Sequence, residues 1–325
     1  MHRLRAARRH EITAIFRESH GLWGAGLTYP AYLDMWLELM ETPWAKGHFR
    51  HLVWVEGDDT VLSSLKLYRP VLRALGRTGP AAMLGAVFTP RGLRGRGHAA
   101  DLIRAALEEA RAGGDSPALL FSDIGIPYYE ALGFRALPAE EAAGRLDRPV
   151  PPPAGWEFRA MTPGDLPDVL RAHEDAAVAR PIAVVRDREH WEFLLARAAG
   201  YFKRLDGSDL SRRYRIALFH GRFAVYLVSL EGDAGWAVRE VGAPGADPAG
   251  LSAILRRGAV EARRAGLRKV HGWLPREAAE WVPEWRLVHR PRRTAIPMLH
   301  PLAGPADVSP LDATGSAFLP YLDQF

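Results

Sequence analysis

The chain has 325 residues, 48% of them hydrophobic and 25% charged, which is enough apolar material to bury the cores of two domains. It has no cysteine, which excludes disulfides, thiolate metal sites and a cysteine nucleophile. Its net charge of +5 comes from arginines scattered over every segment with only four lysines (Lys46, Lys66, Lys203 and Lys269), a pattern that favours an anionic small molecule over nucleic acid.

In chain order, a short strand begins near His2 and a helix runs from about His10 to Ser19. A second helix is expected over YPAYLDMWLELMETP, where apolar residues recur at helical spacing. Strands follow at HLVWVEG, VLSSLKLYRPVLRAL and AAMLGAVFT, the first two joined as a hairpin through Gly57-Asp58-Asp59. Next comes VFTPRGLRGRGHA, in which proline closes an apolar run and three glycines sit among three arginines. A helix from about Ala99 to Ala112, a strand ALLFSD, a short helix IPYYEALG and the segment FRALP complete the series. Strands that are first antiparallel and then cross over a helix to a parallel neighbour define a mixed-sheet α/β fold. No apolar run reaches the roughly 18 residues of a membrane span, and MHRLRAARRHEI lacks the apolar stretch of a signal peptide. A cytoplasmic protein without membrane contact is expected.

The sequence also contains itself twice. LRAARRHEITAIFRESH from Leu4 aligns with FRAMTPGDLPDVLRAHE from Phe158, matching Arg5 to Arg159 and Arg17 to Arg171. LIRAALEEARAG from Leu102 aligns with ILRRGAVEARRA from Ile254, matching Arg104, Glu109 and Arg111 to Arg256, Glu261 and Arg263. The proline-rich RLDRPVPPPAGW marks the join. The expected division is 1–150, 151–302 and a tail over 303–325.

A strand, a glycine loop and a helix start together form a geometry that binds phosphate. Glycine lets backbone N–H groups approach an anion, and the helix N-terminus adds unpaired donors and a favourable dipole. Arg91, Arg94 and Arg96 add charge-assisted donors. The loop lacks the lysine and serine or threonine of phosphate-loop NTPases, and it comes too late in its domain for a first-strand dinucleotide fingerprint.

Arg94-Gly95-Arg96-Gly97-His98-Ala99 resembles the Arg/Gln-x-x-Gly-x-Gly/Ala acyl-CoA signature of the GCN5-related N-acetyltransferase (GNAT) superfamily. Tyr129-Glu130-Ala131-Leu132-Gly133-Phe134 is similar to that superfamily's Tyr-x-x-x-Gly-Phe ending. More narrowly, the two segments resemble the fungal lysine N-acetyltransferases, and the tandem arrangement resembles the bacterial enhanced-intracellular-survival aminoglycoside acetyltransferases without their third domain. The resemblance implies tandem GNAT folds and an enzyme moving acetyl from acetyl-CoA to a small-molecule primary amine such as lysine, a polyamine or an aminoglycoside. It implies that backbone groups of Ala86, Val87 and Phe88 pair with the pantetheine arm. Arg91 and Arg94 to Ala99 would hold the pyrophosphate, with Ser122 beside the cofactor. It further implies that Tyr129 protonates the leaving thiolate, a task a phenol suits when held within hydrogen-bond reach. Asp123 is either the base that accepts the amine's proton or a helix cap. A non-catalytic acyl-CoA sensor or scaffold, and a peptide or protein N-acetyltransferase, are the alternative readings.

Asp34, Glu38 and Glu41 share one side of the second helix, as a solvated face or as an acidic lip for a cationic amine. At an offset of 152, Arg94, Gly95 and Gly97 correspond to Ala246, Asp247 and Ala249, and Tyr129 to Trp281, so the second repeat is expected to lack a cofactor site. The histidines show no ligand spacing, and no metal is expected. HRPRRT from His289 reads as an exposed edge before the last strand. The tail ends in AFLPYLDQF, apolar enough to dock between the repeats; the resemblance to the aminoglycoside enzymes implies that the terminal carboxylate of Phe325 enters the active site, and simple packing of the tail on the second repeat is the alternative.

Overall fold

A computed structural model describes residues 2–57, 60–74, 76–178, 180–302 and 317–319. The first half runs β1 (His2–Ala6), α1 (Arg9–Trp23), α2 (Tyr29–Met40), α3 (Pro43–His48), β2 (Phe49–Glu56), β3 (Thr60–Tyr68), β4 (Val71–Ala74), β5 (Arg77–Pro80), β6 (Ala82–Phe88), α4 (His98–Ala112), β7 (Ala118–Ser122), α5 (Pro127–Glu130), β8 (Arg135–Ala136) and β9 (Glu140–Arg145). The second half runs β10 (Trp156–Ala160), α6 (Leu166–Val178), β11 (Ile182–Val185), α7 (Arg188–Leu205), β12 (Tyr214–Phe219), β13 (Arg222–Gly232), β14 (Gly235–Gly242), α8 (Pro248–Arg264), β15 (Lys269–Gly272), α9 (Ala278–Trp281), β16 (Val288–Pro291), β17 (Ile296–His300) and β18 (Ala317–Phe318).

Two seven-stranded sheets result, ordered β1-β2-β3-β6-β7-β17-β8 and β10-β12-β13-β14-β15-β9-β16. Within each, one parallel pair (β6 with β7, β14 with β15) sits among antiparallel neighbours, giving the expected mixed α/β fold. A division at residue 150 does not follow the sheets. β9 precedes the proline-rich join yet lies between β15 and β16, and β17 belongs to the second half yet lies between β7 and β8. The third sheet, β18-β11-β4-β5, also draws on both halves.

The stretch read as one strand, VLSSLKLYRPVLRAL, breaks at Arg69-Pro70, because proline has no N–H for a ladder. β3 stays in the first sheet and β4 leaves for the third. The turn at Asp58-Asp59 lies outside the described residues. HRPRRT does begin on the edge strand β16, but Arg292 within it is buried, with Nη2 donating to the Leu319 carbonyl at 3.3 Å.

The repeated residues occupy repeated structural roles. Arg5 clamps Glu11 (2.6 Å), which accepts from the Arg8 N–H ahead of α1. Arg159 clamps Asp165 (2.7 Å), which accepts from the Thr162 N–H ahead of α6. Glu109 on α4 pairs with Arg50 on β2, as Glu261 on α8 pairs with Arg215 on β12. One apolar cluster fills the space between α4 and the first sheet, through Leu102, Ile103, Ala106 and Leu107. Another lies between α8 and the second sheet, and the largest joins the halves through Phe16, Trp36, Trp44, Trp191 and Phe193.

Candidate active site

β6 and β7 pair over only three residues, Ala82↔Ala118, Met83↔Leu119 and Leu84↔Leu120. Beyond Leu84 the ladder opens. β6 holds to β3 through Lys66↔Gly85 and Ser64↔Phe88, a register shift that gives β6 an extra residue, and Ala86 there adopts φ +46°. Such a bulge bends the strand away from its former partner. Its far end is pinned by Ser63, whose hydroxyl donates to the Phe88 carbonyl at 2.8 Å. Ala86 to Phe88 therefore line an opened sheet edge, as expected for backbone that receives an extended ligand.

The glycine loop follows directly. Arg91–Leu93 form one 3₁₀ turn, the Arg94 Nε donates to the Thr89 carbonyl at 3.0 Å, and Gly97 caps α4 with φ +86° and no side-chain bond. Intrahelical bonding starts only with the Asp101 N–H to the Gly97 carbonyl, so the first-turn N–H groups of α4 point outward as donors. A Cβ built on Gly95 or Gly97 would meet no protein atom within 4 Å. Glycine is thus required here by left-handed backbone (φ +76° and +86°) and by open space above it, not by packing. Arg91, Arg94 and Arg96 are exposed around that space, and His98 and Ala99 are half-buried. A diphosphate fits this donor set in charge and in hydrogen-bonding capacity.

Tyr129 on α5 is buried, against Tyr128 (ring centroids 5.0 Å) and Phe134 (6.0 Å). Burial, then Tyr128 and Asp123, pushes its phenol up to about 12, so it keeps its proton across the neutral range. Asp123 is exposed at the end of β7 and its Oδ1 accepts from the Ala295 N–H at 2.9 Å. It does not cap α5, whose cap position is Ile126. The buried Ser122 hydroxyl donates to the Gly125 carbonyl at 2.6 Å, holding the turn into α5 rather than facing a ligand.

Between the halves lies a cavity of about 680 Å³. Its walls include Gly85 and Ala86 of the bulge, Asp123, Trp23 at the end of α1, Leu27 of the α1–α2 connection, and α7 with the second sheet across from them. None of Asp34, Glu38 and Glu41 lines it. All three are exposed, Glu38 pairing with Arg204 (2.6 Å) and Glu41 with Lys46 (3.1 Å), so the acidic lip is not built; α2 turns Tyr32, Met35 and Trp36 inward instead. The charged groups the cavity does present are Lys66, Arg197 and Arg239, with Asp123 and Glu231. Lys66 escaped the sequence reading although it was marked: one of four lysines, set inside the apolar strand LSSLKLY. Arg197 and Arg239 carried no local signal, because their approach depends on how the halves pack.

The second half preserves the framework and closes the site. Asp247 caps α8, its carboxylate accepting from the N–H groups of Ala249 (3.1 Å) and Gly250 (3.0 Å), and Asp175 accepts from the Gly245 N–H (2.8 Å). Trp281 takes the last position of the short α9. Phe325 lies outside the described residues; the described part of the tail, β18, pairs in parallel with β11, and Leu319 is buried. Among the described residues there is no cluster that could hold a metal ion, and no helix long and apolar enough to cross a membrane.

Residues 5–137 match the acetyltransferase (GNAT) domain family. The whole chain is similar in fold to a conserved Enterococcus faecalis protein described as a probable N-acyltransferase (13% identity, TM-score 0.68, covering 93% of this chain and 73% of that one). It is also similar to a GCN5-related N-acetyltransferase from Kribbella flavida (18%, TM-score 0.62, 95% and 74%) and to Saccharomyces cerevisiae N-myristoyltransferase with bound myristoyl-CoA (10%, TM-score 0.58, 97% and 83%). No curated protein matches the chain in sequence.

Proposed function

We propose that the chain is an N-acetyltransferase that moves acetyl from acetyl-CoA to the primary amine of a small molecule, using a single site in residues 1–150. The observation that carries this reading is the join of two features: a β6–β7 ladder that opens after three pairs, and, directly beyond it, a helix start whose donors no side chain occupies. The yeast enzyme shows that a similar fold holds an acyl-CoA. Acetyl-CoA supplies the activated acyl group. In this reading Ala86, Val87 and Phe88 offer backbone groups to the pantetheine arm, and Arg91, Arg94, Gly95, Arg96, Gly97, His98 and Ala99 receive the pyrophosphate. Tyr129 donates to the departing sulfur. A phenol held near 12 gives up its proton reluctantly, so it serves as a hydrogen-bond donor that completes transfer only as charge builds on sulfur.

Asp123, the carboxylate on the cavity wall nearest this tyrosine, accepts the amine's proton directly or through water. In this reading residues 151–302, apart from β17 and with β9 added, act as a second unit without a cofactor site, and 303–325 are a tail. Titration with acetyl-CoA should give one site per chain, and CoA release should depend on an added amine. Two sites, or none, would overturn the proposal; binding without turnover on any amine would make the chain an acyl-CoA-binding scaffold.

A further inference from the structure

Lys66 is 4% exposed and lines the cavity, yet among the described residues it makes no hydrogen bond or ion pair. Its Nζ sits 3.1 Å from the centroid of Trp36 and 5.0 Å from that of Phe16. Aromatic faces return less to a desolvated cation than losing water without a counter-ion costs it. Burial, with Arg197 adding to it, pushes the amine well below its ordinary value. The titratable groups facing it from the other elements are His51 on β2, Tyr32 on α2 and Arg197 on α7; burial holds His51 near 3 and Tyr32 near 12, so none brings negative charge. Asp123 and Glu231 line the same cavity but, among the described residues, neither forms an ion pair with Lys66, so an anion entering beside it would give the amine its first direct counter-charge.

Its place in the sheet says what that anion is attached to. Lys66 is the register partner of Gly85, one residue before the bulge at Ala86 where β6 leaves β7. An anion on Lys66 therefore sits beside the opening through which an acyl group would reach the cavity. We infer that the acceptor carries a carboxylate close to its amine, as an amino acid does, and that Lys66 binds this carboxylate. The inference rests on the acyl-transfer reading above and selects among its acceptors. A polyamine or an aminoglycoside brings only cations to a cavity in which Lys66, Arg197 and Arg239 outnumber the carboxylates Asp123 and Glu231.

The test assays CoA release by the full chain with each of the twenty protein amino acids beside its carboxamide, and with spermidine and kanamycin. The best amino acid is expected to exceed its carboxamide by about tenfold or more in kcat/KM. Lys66→Met, which fills the aromatic slot without the amine, should erase that preference, leave acetyl-CoA affinity unchanged and raise the melting temperature. A carboxamide, spermidine or kanamycin used as well as any amino acid overturns the assignment, as does a Lys66→Met chain that keeps the preference. Calorimetry of amino-acid binding without acetyl-CoA, in two buffers of different ionisation heat, should show proton uptake by the unaltered chain and none by Lys66→Met. Amino acids that do not bind, or bind without uptake, also overturn it. Uptake by a chain that cannot bind acetyl-CoA would instead sink the acyl-transfer reading and leave the carboxylate site standing.

Discussion

The starts of α4 and α8 are the same place in two copies of one framework, and they use it in opposite ways. Each follows a 3₁₀ turn at the end of a strand whose parallel ladder spans three pairs. At α4 the cap is Gly97, no described side chain takes the first-turn donors, and the ladder opens onto a cavity at Ala86. At α8 the Asp247 carboxylate takes two of those donors for itself. Two residues past the last ladder pair, where the first half has Ala86, the second has Glu240. That carboxylate is fully buried and is held by Arg186 (2.8 Å), His173 (3.2 Å) and Tyr226 (2.5 Å). An intramolecular carboxylate at each end thus occupies in the second half what stands open in the first. A fold of this kind is kept by its packing, and the site by a few positions where side chains are withheld.

The contrast breaks most sharply at the α4 start. Gly97→Val places a β-branched residue at φ +86° and puts its side chain into the space where the donors converge. Acetyl-CoA affinity, read by titration, should fall about 100-fold or more, since strain and obstruction add. The melting temperature should fall by only a few degrees, from the left-handed backbone strain alone, because no protein atom lies within 4 Å of the new Cβ. Undiminished binding would remove the loop from the site.

The next effect concerns turnover. Tyr129→Phe is expected to lower kcat about 100-fold with little change in acetyl-CoA affinity, as for a donor used when the sulfur departs. Tyr128→Phe, on the more exposed neighbouring ring, should be mild. Because the Tyr129 phenol is held up near 12, the unaltered enzyme should show no loss of activity from its ionisation between pH 7 and 10. A basic-limb inflection in that range that vanishes in Tyr129→Phe would assign the phenol a much lower value and contradict its burial.

What could be read in the sequence follows from which interactions are local. The glycine loop, α4 and the short helix with Tyr129 are set by chain neighbours, so their positions were legible, as was the loss of the glycines in the second repeat. The exchange of β9 and β17 was not, because nothing in EEAAGR or IPMLH records which sheet will supply the partner. The acidic lip failed for a related reason. Helical spacing correctly grouped Asp34, Glu38 and Glu41, but α2 has two sides, and the apolar residues Tyr32, Met35 and Trp36 decided which one met the second half. Lys66 was legible as an anomaly in an apolar strand; its meaning depended on an empty space that only packing makes.

The paired Arg–carboxylate clamps sharpen the likeness of the halves. Hydrogen bonds from Arg159 lower the Asp165 carboxyl to about 2, whereas its ordinary value is 3.8. A depressed folded value stabilises above the ordinary one and is lost as pH falls through the folded one. Arg159→Met should therefore cost about 1–2 kcal/mol at pH 7, a figure held down by water around the partly exposed guanidinium, and the cost should fade between pH 4 and 2. Arg5→Met should act in the same direction, because Arg5 is likewise the largest cause lowering Glu11. Denaturant midpoints against pH would test both, and a pH-independent difference would rule out the clamp as the cause.

The smallest effect isolates the closed site. Asp247→Ala removes the carboxylate that accepts from the Ala249 and Gly250 N–H groups and returns the α8 start to the uncapped condition of α4. Losing a side-chain cap costs about 1 kcal/mol, which equilibrium unfolding can resolve. Acetyl-CoA stoichiometry should remain one per chain. Alanine restores the free donors but not glycine's access, and Pro248 still occupies the first helical position. Glu240 with its three partners also continues to fill the place where an arm would have to lie. If Asp247→Ala alone created a second site, closure of this half would rest on that one carboxylate, and the buried network at Glu240 would have no part in it.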